Sequence, residues 1–266
     1  MLASVSDCET NQASWNAAIA LAGGGEVWDD GELRWSWQAH DGQLMLNFPQ
    51  TIPVTAARRG VTEARRRGAH IVGAWLATEV DASPLERVGF ERGWEPWWMA
   101  APLAAIAEPD DERVIITREV PEYDDGQRRL RSLVEDSGSR AWHAVARIDG
   151  RLAGRAWAFA PGGIAGVYDM DVWPGFQRRG LGRALLRSLC GSAHAAGARV
   201  AVLNATPDGE RLYSAEGFSR IGTGITYWHH LGCIAGWEEP RGHRAEGVAD
   251  VVRSTAARRL VGDWSL

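Results

Sequence analysis

Cysteine is scarce in this 266-residue chain, and its three thiols, Cys8, Cys190 and Cys233, stand far apart. That number and spacing exclude a disulfide framework, and none of the three lies near paired histidines at metal-ligand spacing. Buried free thiols are the expectation, with no bound metal. No run of eighteen uncharged apolar residues occurs, and the opening Met1-Leu-Ala-Ser-Val-Ser-Asp-Cys-Glu-Thr lacks both a basic head and a long apolar stretch. A membrane span is not expected, and the reading is a cytoplasmic protein. Net positive charge is absent as well. A formal charge of −5 and a pI near 5.8 give no general attraction to phosphate backbones or anionic membranes, so neither nucleic acid nor membrane is an expected partner.

What is present is the composition of a globular protein, 45% hydrophobic and 24% charged, in a chain long enough for one large domain or two ordinary ones. Fourteen tryptophans are unusual. Trp35 and Trp37 form one group, Trp94, Trp97 and Trp98 another. Such rings suit a domain interface or an apolar cleft, and core packing is the default for each.

The second half reads clearly. Ala141 to Ile148 is a strand, Asp149-Gly150 a hairpin turn, and a second strand runs through Gly154 to Ala160. Pro161-Gly162-Gly163 turns the chain into a third strand, Ile164 to Val172. Leu181, Leu185, Leu189 and Ala193 then lie on one stripe of a helix spanning about Leu181 to Ala196 and stopped by Gly197. Val200 to Asn204 is a strand, Asp208 to Glu216 a helix ended by Gly217, and Ile225 to Leu231 a further strand. Upstream, Asp124 or Asp125 can cap a helix carrying Leu130, Leu133 and Val134. Ala100 to Arg113, with two prolines and an acidic run, is the best linker candidate. After Glu238-Glu-Pro-Arg-Gly242, the spacing of Val248, Val251, Val252, Ala256 and Leu260 predicts a terminal amphipathic helix.

The most informative stretch is Val172-Trp-Pro-Gly-Phe-Gln177-Arg178-Arg179-Gly180-Leu181-Gly182-Arg183, which joins a strand directly to a helix. Its chemistry is anion binding. Glycines at 180 and 182 admit a phosphate close to the backbone, the helix start leaves N–H groups unpaired, and Arg178, Arg179 and Arg183 add charge. An ordinary capped strand-to-helix turn would also explain a glycine pair. A Rossmann site is disfavoured, because the third glycine is missing and the neighbouring strands read as hairpins.

This stretch resembles the acyl-CoA loop of the GNAT superfamily of N-acetyltransferases, Gln/Arg-x-x-Gly-x-Gly/Ala after a strand ending Val-x-Pro. A second block, Asn204 followed by a helix bearing Leu212-Tyr213-Ser-Ala-Glu-Gly217-Phe218, resembles that family's Asn and Leu-Tyr-x-x-x-Gly-Phe. Together the blocks cover about Trp142 to Leu231. The resemblance implies an α/β (α+β) GNAT fold, with a mixed, mostly antiparallel central sheet flanked by helices. It implies acetyl-CoA, or another acyl-CoA, as co-substrate and an amine as acceptor.

The resemblance also assigns residues. The main chain at Met170 and Val172 would bond the pantetheine arm and the acyl carbonyl. Gln177, Arg178, Arg179, Gly180, Leu181 and Gly182 would hold the pyrophosphate, assisted by Arg183. Tyr213 sits where the family carries a phenolic acid for the leaving thiolate, the other reading being a ring packed for shape. Alternation places Asp169 and Asp171 on one strand face, opposite Tyr168 and Met170. Asp169 is the candidate base, directly or through water, or else a solvated charge or an arginine partner. Many family members carry a glutamate on this strand, and this segment lacks one. Asn204 either bonds pantetheine or caps the next helix. His194, His229 and His230 receive no role.

A shift of 128 positions aligns Val72 with Val200, Ala77-Thr78 with Ala205-Thr206, Gly89-Phe90 with Gly217-Phe218, and Arg92 with Arg220. The same register sets Leu85 opposite Tyr213 and Pro49-Gln-Thr-Ile-Pro-Val54 opposite the glycine loop, and prolines lack the N–H groups a phosphate cradle uses. Residues 1–105 are therefore expected to form a truncated, degenerate GNAT-like half that walls the acceptor site, 106–235 the catalytic domain, and 236–266 a helical extension. The leading function is acetyl transfer to a primary amine of a small molecule or peptide in a ternary complex. An acyl-CoA sensor or scaffold and a protein-lysine acetyltransferase are the alternatives.

Overall fold

The computed structural model describes residues 3–106, 108–109, 111–123, 128–135 and 140–232. The expected terminal helix, Cys233 and the caps Asp124 and Asp125 lie outside them. Among the described residues no helix is long and apolar enough to cross a membrane. The chain divides into two compact units, the larger from residues 3–22 and 96–223 and the smaller from 23–95 and 224–232.

The smaller unit contains strands β1 (Glu26–Asp30), β2 (Leu33–Gln38) and β3 (Gln43–Asn47), helix α2 (Val54–Arg66), β4 (Ile71–Leu76), the short α3 (Ser83–Glu86), β5 (Glu91–Arg92) and β13 (Ile225–His230). Its sheet order is β1-β2-β3-β4-β13-β5. Only β3 and β4 run parallel, and they are joined through α2. Trp35 is buried in its core, and Gly60 of α2 lies so close to that ring that a Cβ there would sit 2.3 Å from it. Trp94 meets Trp75 edge-on at 5.8 Å.

The larger unit contains α1 (Val5–Ala22), β6 (Trp97–Pro102), β7 (Val114–Ile116), α4 (Ser132–Glu135), β8 (Ala141–Ile148), β9 (Arg151–Phe159), β10 (Ile164–Val172), α5 (Leu181–Ala195), β11 (Val200–Ala205), α6 (Pro207–Ala215) and β12 (Ser219–Thr223). Its sheet order is β12-β6-β11-β10-β9-β8-β7, with only β10 and β11 parallel. The β8–β9 hairpin turns as expected, Asp149 and Gly150 taking the two left-handed positions at φ 50° and 76°. Apart from the extra edge strand β7, this is the strand order of the smaller unit, with β6 where β13 stands there. The 128-residue repeat maps β6 onto β13, so each repeat gives its last strand to the other unit's sheet.

That exchange corrects the expected division of the chain. The linker candidate begins inside β6, which pairs with both β11 and β12 and buries Ala100 and Ala101 completely. Alanine and proline read as a linker because a strand enclosed on both sides by neighbours needs no large side chains. Residues 5–22 likewise pack on β10 of the larger unit, so the units do not part at residue 105. Trp98 is buried in the larger unit and Trp97 is covered by the Arg220 guanidinium, 4.0 Å from its ring.

The two faces of the larger sheet differ. One carries α5, whose Leu181, Leu185, Leu186 and Leu189 are almost fully enclosed among sheet alanines. The other carries α1 and α4, with Trp15, Leu130, Leu133, Trp157 and Tyr168 in one cluster and Trp15 stacked on Tyr168 at 4.8 Å. Cys8 and Cys190 are buried free thiols, each pushed up to about 12 by burial, and so are not nucleophiles at neutral pH. His143 is buried on the α1 side, where loss of solvation, reinforced by the Arg155 charge, lowers its pKa to about 3.

Helix α6 is fixed to α5 by charge. The Glu216 carboxylate, 3% exposed, meets Arg183 at 2.7 Å and Arg187 at 2.6 Å. Glu216→Gln should therefore cost about 3 kcal/mol in denaturant titration, whereas Arg183→Ala at a half-exposed site should cost under about 1 kcal/mol. A second expectation concerns acid. The unfolded chain takes up a proton at His143 near pH 6.5 and the native state does not, so native stability is lost as pH falls from 6.5 towards 3. Between pH 6.5 and 4.5 stability should fall with a slope approaching about 1.4 kcal/mol per pH unit, and His143→Gln should flatten that slope.

Candidate active site

The site grows from a parting in the larger sheet. The ladder between β10 and β11 runs from Ile164↔Val200 to Val167↔Leu203 and ends there. Beyond it β10 stays with β9 as far as Val172↔Gly154, while β11 stays with β6 as far as Ala205↔Trp97. Between Tyr168↔Trp157 and Asp171↔Arg155 one extra residue enters β10, and Asp169 takes φ 47°. This is a β-bulge. It changes the expected alternation: Tyr168 packs on the α1 side, whereas Met170 and Val172 pack on the α5 side. Without the extra residue the three would share a face.

The strand then feeds the glycine loop. Trp173 N–H donates to Ala153 O at 2.9 Å, Pro174–Phe176 makes one tight turn, and the Gln177 side-chain amide donates to Val172 O at 2.9 Å. Gly180 is the N-cap of α5 at φ 81°, a conformation that favours glycine, and no side chain caps the helix. The helix N-terminus is thus open to an anion, with the dipole assisting. Gly182 serves closeness as well: a Cβ there would lie 3.2 Å from Leu212 and 4.0 Å from Val172.

Two arginines that sequence reasoning missed also border the loop. Arg113 donates to Arg179 O at 3.2 Å while bonded to Asp111, and Arg151 lies 5.6 Å from the Phe176 ring, which Arg179 approaches at 5.8 Å. Nothing local signals Arg113, because its contact spans 66 positions. Arg178 is exposed at φ 63°. Arg183 is engaged with Glu216.

Phe176, Met170, Val172 and Tyr213 pack against the same α5-side core, so strand, loop and helix α6 converge there. Tyr213 is half-buried, with its ring 6.1 Å from Phe218. Asn204 faces the other way and donates to Gln12 of α1 at 2.7 Å. It does not cap α6; Thr206 does, its hydroxyl accepting from Gly209 N–H at 3.2 Å. Asp169 is exposed on the bulge. Burial pulls the Arg155 pKa down, but Tyr123, Asp169 and Asp171 together carry it above the ordinary value.

Residues 138–220 match the acetyltransferase (GNAT) domain. The mycothiol acetyltransferase of Clavibacter sepedonicus is 32% identical over 144 residues, 50% of this chain and 47% of that protein. The chain thus spans about half the length of the curated relative it matches. A GCN5-related N-acetyltransferase from Kribbella flavida has a similar fold, with a TM-score of 0.56 at 16% identity over 84% of this chain and 97% of that one. So has a tandem GNAT protein from the clavulanic acid biosynthesis pathway, with a TM-score of 0.54 at 12% identity over 88% and 98%. Residues 138–220 are thus similar to the acetyltransferase (GNAT) domain, and the fold is that of GCN5-related N-acetyltransferases.

Proposed function

We propose that the chain transfers an acetyl group from acetyl-CoA to a primary amine of a small molecule or peptide, by direct attack in a ternary complex in the larger unit. The observation that carries this reading is the parting of β10 from β11 beside an uncapped helix N-terminus. The N-terminal amides of α5, from Leu181 to Arg183, bind the pyrophosphate, with Gly180 and Gly182 keeping the approach clear and Arg178, Arg179 and Arg113 supplying positive charge. Main-chain groups of Met170 and Val172, on the edge that β11 has left, bond the pantetheine arm, and Asn204 borders the same gap. Gln177 buttresses the strand end at Val172 O. In the smaller unit, Pro49 to Val54 stand where the loop would be, and that unit takes no part in binding CoA.

When bound, acetyl-CoA supplies its acyl group as a thioester, which is electrophilic towards a neutral amine. Asp169, directly or through a water, accepts a proton from the incoming ammonium. The C–N bond then forms as the C–S bond breaks, Tyr213 gives its phenolic proton to the departing sulfur, and the acylated nitrogen loses its extra proton to the Tyr213 phenolate, directly or through water, which leaves a neutral amide and restores the phenol.

Tyr213→Phe keeps the ring and removes only that proton. Turnover should fall by about 10²- to 10⁴-fold while the calorimetric affinity for acetyl-CoA stays that of the wild type. Equal turnover would reduce Tyr213 to packing. Gly182→Val is the poorer probe, since the Leu212 contact makes it a packing change too.

A further inference from the structure

The arginines around the glycine loop fall into two groups. Arg113 and Arg183 have carboxylate partners, Asp111 and Glu216. Among the described residues Arg151, Arg178 and Arg179 form no ion pair, and all three are exposed. Positive charge that no carboxylate answers is therefore gathered where β10 leaves for α5.

Two of these three guanidiniums converge on one ring. Arg179 folds back over the turn Pro174–Phe176, its Nη2 donating to Gly175 O at 3.3 Å and its guanidinium 5.8 Å from the Phe176 ring. Arg151 reaches the same ring from the start of β9, at 5.6 Å. Both positions are built into the fold. Arg147 Nη1 donates to Gly150 O at 2.9 Å and so holds the β8–β9 tip, while the bond from Trp173 N–H to Ala153 O ties β9 to the turn. Phe176 itself is half-buried against the α5-side core. Two like charges beside one ring repel each other, and a cation–π contact at an exposed site offsets little of that. An anion shared by the two guanidiniums reverses the balance.

CoA carries two anionic groups, the pyrophosphate and the 3′-phosphate of its adenosine ribose, one sugar apart. The open N-terminus of α5 answers the first. We infer that Arg151 and Arg179, set by Phe176, bind the 3′-phosphate, so that the chain prefers CoA to its 3′-dephospho form. The inference rests on the acetyl-transfer reading and adds the part of the co-substrate that is recognised beyond the pyrophosphate; Arg179, which also lends charge to the loop, borders both groups. Guanidinium forks match phosphate oxygens through paired, charge-assisted hydrogen bonds. Side chains already resting on an anchored ring lose less freedom when they close on a ligand.

Calorimetry on the full chain, comparing CoA with 3′-dephospho-CoA, tests this. The expected result is about tenfold weaker affinity for the dephospho form, with the gap narrowing as salt is raised. Arg151→Ala, at an exposed position, should weaken CoA binding about tenfold and leave 3′-dephospho-CoA binding as it is in the wild type, which shows at the same time that the variant is folded. Three results would overturn the inference and leave the acetyl-transfer reading standing: equal affinities of the wild type for the two ligands, wild-type CoA affinity in the Arg151 variant, or an equal loss of both ligands there, as a purely packing role beside Phe176 requires. Binding of neither ligand by the wild type would end the acetyl-transfer reading and the inference with it.

Discussion

The larger unit depends on two parallel strands that stop pairing. From Val167 and Leu203 onward β10 and β11 follow different partners, and the bulge at Asp169 lets β10 do so without losing β9. Main-chain hydrogen-bonding groups are costly to leave unsatisfied in a protein interior. A strand edge exposed by such a parting is therefore a natural seat for a ligand rich in amides. The same extra residue turns Met170 and Val172 towards the α5 core, beside the glycine loop, and leaves Asp169 on the outer curve.

Helix α1 holds the parting from the opposite face. Asn11, buried on α1, donates to Ile164 O at 2.9 Å and accepts from the Tyr168 hydroxyl, which ties the helix to both ends of the paired part of β10. Gln12 donates to Asn16 Oδ1 at 3.0 Å and accepts from Asn204 on β11 at 2.7 Å. Neutral amides can satisfy one another in a buried network without the desolvation cost of an ion pair, and partly met networks are costly. The polar stripe of α1 is thus matched to the two diverging strands, which explains why residues 5–22 fold with a unit most of whose chain begins at residue 96.

Much of this was legible in the sequence. The β8–β9 hairpin followed from Asp149-Gly150, α5 from its leucine stripe, and α6 and β13 from their terminating glycine and apolar pattern. The glycine loop and the Asn204 and Tyr213 block led to the fold. The bulge was not legible, because the residues around Asp169 alternate normally in the sequence and only the pairing with β9 shows the added residue. Nor was the second half of β6, where Ala100, Ala101 and Pro102 have the composition of a linker. Contacts such as Asn204 with Gln12, 192 positions apart, have no local signature at all. The exchange of β6 and β13 hides in the same way, since a repeat in sequence does not say which sheet receives its last strand.

The proposed binding mode lays CoA along β10 after the parting and ends it on the N-terminus of α5. Hydrogen–deuterium exchange of the full chain, with and without saturating CoA, reads this directly. Slowed exchange is expected in peptides covering 168–172 and 180–184, and no change in those covering 48–54. Protection at 48–54, or none at 168–184 while calorimetry shows the ligand bound, would contradict it.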